Sequence, residues 1–150
     1  MTAQASDILF YDGDVYILYS EPLEDYFEQN PPRPDIEATC SACWRGYIAT
    51  WRIKRDKLYM VSIQSFGGDD LALKQKLFPD EDMFFASWFT GPLVCPYGEE
   101  VEYVHMGYST KYEKYLILEV ESGIVTSSND ISLDQYREWC RARYLSTQNA

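Results

Sequence analysis

Trp44-Arg-Gly-Tyr-Ile-Ala-Thr-Trp-Arg-Ile-Lys54, a short Arg55-Asp56 connection, and Lys57-Leu-Tyr-Met-Val-Ser-Ile-Gln-Ser65 decide how this chain is read. In the first segment Tyr47, Ala49, Trp51 and Ile53 recur at every second position, the period of a β-strand. In the second, Tyr59, Val61 and Ile63 alternate with Leu58, Met60 and Ser62. Both segments carry apolar residues on both faces, which suits strands in the middle of a sheet rather than at its edge. The two together predict a central β-hairpin.

On the N-terminal side, Ile8–Tyr11 and Val15–Tyr19 flank Asp12-Gly13. Asp-Gly accepts the positive φ angles of a tight turn, so this stretch predicts a second hairpin. Pro22 to Gln29 suits one or two helical turns, ended by Asn30-Pro-Pro-Arg-Pro34, whose prolines remove backbone donors. On the C-terminal side, Gly67 to Asp70 reads as a loop. Asp69 or Asp70 caps a short helix over Leu71–Leu77, which Pro79 closes. Met83 to Phe89 reads as a buried strand, and Gly91-Pro92 as a bend or an edge position. Pro96 to Glu100 reads as a turn, and Val101–Met106 and Tyr112–Glu121 as strands. Ser122-Gly123 then leads into Ile124-Val-Thr.

The last element predicts a helix. Ser132 stands three residues before Gln135, the spacing of a capping box. Leu133, Tyr136, Trp139, Cys140 and Tyr144 follow at helical spacing, and Arg137, Arg141 and Arg143 complement the dipole late in the helix. Strands dominate and are not separated by regular helices, which argues against a doubly wound parallel sheet. The expected fold is α+β in a single domain, 1–150. It has a mainly antiparallel, curved sheet, one short internal helix, and a C-terminal helix packed on the sheet.

The chain has 150 residues, and 16% of them are aromatic, too many for a disordered polypeptide. Its formal net charge is -11. That charge either keeps copies soluble and apart or draws in a basic partner. It disfavours nucleic acid, whose phosphates require a surplus of Lys and Arg. The first residues show no signal-peptide pattern, and no apolar run reaches the roughly 20 residues a bilayer demands. A cytoplasmic protein without membrane contact is expected, in which Cys40, Cys43, Cys95 and Cys140 are free thiols.

Few residues offer chemistry. Cys40-Ser-Ala-Cys43 has zinc-ligand spacing, but a structural zinc site takes four ligands. Cys95, Cys140 and His105 form no second spaced pair, so zinc through Cys40 and Cys43 is a minor reading and no cofactor is expected. A redox role for the same pair would place it at the start of a helix, whereas it precedes a strand. His105 is the only histidine, so any Ser-His or Cys-His catalysis would pass through it. Its setting between apolar residues reads as a half-buried strand position. Asp69-Asp70, Asp80 to Asp82 and Glu99-Glu100 lie in expected loops, where solvated acids are ordinary. Glu119 and Glu121 share one strand face and would have to be paired or protonated if that face were covered. No phosphate-loop, dinucleotide, metalloprotease or nucleophile-elbow motif occurs. Arg45, Arg52, Lys54, Arg55 and Lys57 interleave with Trp44, Tyr47, Trp51 and Tyr59. That pattern is similar to a nucleic-acid stacking surface, a reading the acidic remainder opposes.

The runs Trp44 to Ile53, Lys57 to Met60, Tyr103-Val-His-Met-Gly-Tyr108 and Tyr112 to Val120 together resemble a small bacterial domain type of unknown function. The resemblance implies no activity, cofactor or site residue.

The expected function is a protein-interaction module, an acidic immunity-type or inhibitor protein that binds a basic partner. Aromatic residues would supply its binding hot spots and acids would steer the encounter. The alternative is a small-ligand-binding protein or enzyme with a pocket between the sheet and the terminal helix. Candidate contact residues for a ligand or partner are Trp44, Tyr47, Trp51, Tyr59, His105 and Glu119. The sequence assigns neither catalytic residues nor an oligomeric state.

Overall fold

The computed structural model describes residues 5–32, 43, 45–65, 83–104, 108 and 110–148. Its strands are β1 (Asp7–Tyr11), β2 (Asp14–Leu18), β3 (Tyr47–Lys54), β4 (Lys57–Ser65), β5 (Phe84–Phe85), β6 (Gly91–Glu102), β7 (Lys111–Glu121) and β8 (Ile124–Ser132). The helices are α1 (Pro22–Gln29) and α2 (Leu133–Gln148). The expected helix over Leu71–Leu77, and the loop before it, lie outside the described residues.

One mixed sheet holds all the strands, in the order β2-β1-β3-β4-β8-β7-β6, with β5 added to β4. Every pairing is antiparallel except β1 with β3. The central position of the β3–β4 hairpin agrees with its two-sided apolar pattern. Asp12 (φ 50) with Gly13 (φ 81), and Arg55 (φ 53) with Asp56 (φ 63), make the two tight turns. The sheet is open but curls. Its two outer strands meet where the Tyr19 amide donates to the Val94 carbonyl at 2.7 Å, and the Ser20 hydroxyl bridges Pro92 and Val94.

The main core lies on one face. Leu9, Tyr47, Ala49, Trp51, Leu58, Met60, Leu93, Leu116 and Leu118 meet there, with Leu23 and Phe27 from α1. The alternation in β4 differs from the sequence reading. Thr50 pairs with Ser62 and Trp51 with Met60, so Val61 is bulged out of the ladder. The bulge exchanges the two faces, so Leu58 and Met60 point inward on one side of it and Ile63 on the other. A second, smaller cluster lies on the opposite face. There Val94, Tyr115 and Ile117 are covered by Leu133, Tyr136 and Trp139 of α2. Lying between two clusters, Tyr115 to Leu118 are buried on both sides of β7.

Three further readings are corrected. Met83–Phe89 is not a continuous buried strand, because only Phe84–Phe85 pair and the chain then turns. Pro96–Glu100 is not a turn but the middle of β6, with register shifts after Tyr97 and Glu100 and with Gly98 at φ 81. Strand β6 is at the end of the sheet order, and an edge strand tolerates the missing amides of Pro92 and Pro96. Strand β8 runs to Ser132, far past Thr126, although its side chains are mostly polar and exposed. The capping box forms as expected: the Gln135 side chain accepts from the Ser132 amide at 2.8 Å, and the Ser132 hydroxyl accepts from the Gln135 amide at 3.3 Å. Helix α2 continues to Gln148, so its arginines are mid-helix and its last turn contains no basic residue.

Candidate functional site

Four of the six expected contact residues are among the described residues. Trp44 and His105 lie outside the described residues. Tyr47 and Trp51 are fully buried in the main core. Tyr59 is half-buried beside the Phe85 ring, at 5.7 Å between centroids. Glu119 is half-buried on β7, opposite Pro92 and Ser127, and Glu121 is exposed. The stacking surface suggested by the aromatic hairpin is therefore turned inward at Tyr47 and Trp51.

The hairpin cations are divided as well. Arg45 is buried and donates to the buried Asp7 carboxylate at 2.5 Å. Asp7 also accepts from the Ala49 amide and the Trp51 indole, both at 3.0 Å. The second Arg45 amino group donates to the Ala5 carbonyl and the Tyr108 hydroxyl. Tyr108 in turn donates to Glu21 at 2.6 Å. Burial pushes the Asp7 carboxyl above its usual range, against the pull of Arg45 and the two other donors. Nothing local in the sequence marked Asp7, because a lone acid before an apolar strand ordinarily faces water. Arg52, Lys54, Arg55 and Lys57 remain exposed at the hairpin end. There Arg52 and Lys54 share a cleft of about 400 Å³ with Asp12 and Asp14.

Cys43 is buried, and its thiol donates to the Tyr47 carbonyl at 3.2 Å. Cys40 lies outside the described residues. Among the described residues, no three His, Cys, Asp or Glu side chains converge as a metal site would require. Burial pushes the Cys95 thiol up to about 12.

Two surfaces stand out among the described residues. The first is acidic and rich in tyrosine. The Tyr16 and Tyr97 rings meet edge to face at 6.0 Å. Tyr97 donates to the Asp130 carboxylate at 2.6 Å, a bond that pushes its phenol up to about 12. Asp14 acts electrostatically on Tyr16, and Glu113 on Tyr97. Along the same edge, Glu99, Glu100 and Glu102 are exposed, and so are Val101 and Tyr103, each at 57%. Strands β2, β6 and β8 contain no Lys or Arg; Lys111 and Lys114 of β7 pair with β6, and Arg52 and Lys54 share the cleft beside Asp14.

The second surface is a groove of about 630 Å³ between α2 and the outer face of β7 and β8. Ile117, Ile131, Trp139 and Ala142 make it apolar. Asn129, Asp134, Gln135 and Glu138 also line it, and all four are exposed. No described helix is long and apolar enough to cross a membrane. No protein-family model, curated protein or solved structure matches the chain.

Proposed function

We propose that this chain is a protein-interaction module whose acidic, tyrosine-bearing β6 edge captures a basic partner. The observation that carries this reading is the set of exposed residues Glu99, Glu100, Val101 and Glu102 at the end of an edge strand, followed directly by exposed Tyr103. Exposed apolar and aromatic side chains among acids suit a surface on which desolvated contacts hold the partner and charge speeds its capture. An edge strand also offers unpaired backbone groups to a segment that adds to the sheet. The finer form of the proposal is an inhibitor or immunity-type protein that masks a cationic surface of its target.

The place expected for a small ligand does hold a groove. Its polar lining residues are all exposed rather than converging on an enclosed volume, which favours a macromolecular occupant. The test compares proteins retained from a host lysate by the wild-type chain and by a Glu99→Lys, Glu100→Lys, Glu102→Lys variant. The wild type should retain a basic protein, with association slowing as salt rises, and the variant should lose it. Identical retained sets would end the proposal.

A further inference from the structure

Helix α2 is only half used by the fold. Its first turns are held by Tyr136, which stacks on Tyr115 at 3.7 Å between ring centroids, and by Trp139. From Cys140 to Leu145 every residue is exposed, including Tyr144 at 64% and Leu145 at 52%. Large apolar side chains at that exposure, next to an apolar groove, mark an association surface. Leu145 is three residues beyond Ala142 and seven beyond Glu138, so it continues the helix stripe that lines the groove.

Charge is divided along the same helix. Its first half carries Asp134 and Glu138 with a single cation, Arg137, and is net acidic. From Trp139 onward it carries Arg141 and Arg143 and no acid. Two copies of such a helix laid antiparallel set the basic half of each against the acidic half of the other. A parallel arrangement sets like against like. Within one copy, Arg137 pairs with Asp134 and Arg141 with Glu138, but these pairs are exposed, and such pairs contribute little by themselves. They are free to join a network across a helix pair.

We propose that the groove between α2 and the sheet is occupied by α2 of a second copy of this chain, in a twofold antiparallel dimer. Glu138 of each copy meets Arg141 of the other, a register that sets Leu145 of each beside Asp134 of the other, at the Ile131 end of its groove. The interface is isologous, so it closes at two copies and does not propagate. It leaves the β6 edge free for a different partner.

Sedimentation equilibrium at physiological salt tests this, because screening there limits the repulsion between two chains of charge -11. The wild type should pass from monomer to dimer as concentration rises. Leu145→Asp removes the apolar anchor and sets an acid against Asp134 and Glu138 of the partner, so it should weaken association by about tenfold or more, with circular dichroism unchanged. Glu138→Arg and Arg141→Glu place like charges across the twofold, so each should be monomeric alone. Mixed in equal amounts, they should pair, because opposite charges then face each other at both contacts. A wild type that stays monomeric overturns the proposal. So does a dimer indifferent to Leu145→Asp, a charge-reversed pair that fails to associate on mixing, or binding of a basic peptide in the groove of the monomer.

Discussion

Tyr97 shows how one side chain on the acidic edge responds to pH. Its phenol donates to Asp130, and that bond holds its proton up to about 12 against an ordinary value of 10.0. The folded state therefore keeps this proton more tightly than the unfolded chain. The stability from the bond is fully present below pH 10 and is lost as pH rises through about 12. Comparing urea unfolding of the wild type and Tyr97→Phe, the stability gap should be constant up to pH 9 and shrink toward pH 12. A gap of the same size at both ends would show that the Asp130 bond contributes nothing. Tyr97 itself was unreadable as a site residue, because Pro96 and Gly98 beside it have the signature of a turn. Only its place on an edge strand makes that composition compatible with pairing.

At the scale of elements, the turn at Ser122-Gly123 does more than reverse the chain. The Gly123 carbonyl accepts from the Leu58 amide and its amide donates to the Phe89 carbonyl, which seats the β7–β8 turn on β4 and the segment after β5. Gly123 has φ +83, and a Cβ there would lie 2.6 Å from the Ala86 carbonyl oxygen. Gly123→Ala thus meets both backbone strain and a backbone clash, and should cost about 2–3 kcal/mol in chemical denaturation. Gly13 has a similar φ of +81, but a Cβ there meets nothing within 4 Å. Gly13→Ala should cost about 1 kcal/mol, for strain alone. Equal losses would show that the Ala86 contact yields. The turn was legible as Ser-Gly between strands, whereas its docking on Leu58 and Phe89 was not, since it depends on which strands become neighbours.

For the whole molecule, Asp7 and Arg45 form the tie that binds distant segments. Asp7 opens β1, Ala49 and Trp51 belong to β3, and Tyr108 and Glu21 extend the network through Arg45. Asp7→Asn leaves the Arg45 guanidinium buried without its carboxylate. It should lower stability by about 3–5 kcal/mol at pH 7.5, measured by urea unfolding, because breaking this buried pair leaves the Glu21 carboxylate, at the longer distance of 3.7 Å, as the remaining counter-charge. A loss under about 1 kcal/mol would show that water reaches Arg45 in the variant. The sequence by itself determined the local elements: the two hairpins, the helix after Pro22, the capped terminal helix and the α+β class. Each follows from periodicity and turn chemistry within a few residues. Only the tertiary structure decided the rest. It set the bulge that swaps the faces of β4, the edge status that lets β6 absorb two prolines, and the inward turn of Arg45 away from its basic neighbours. It also divided the aromatics between the core and the exposed surface. Each of these depends on which strands become neighbours, and burial then separates side chains that are equivalent in the sequence.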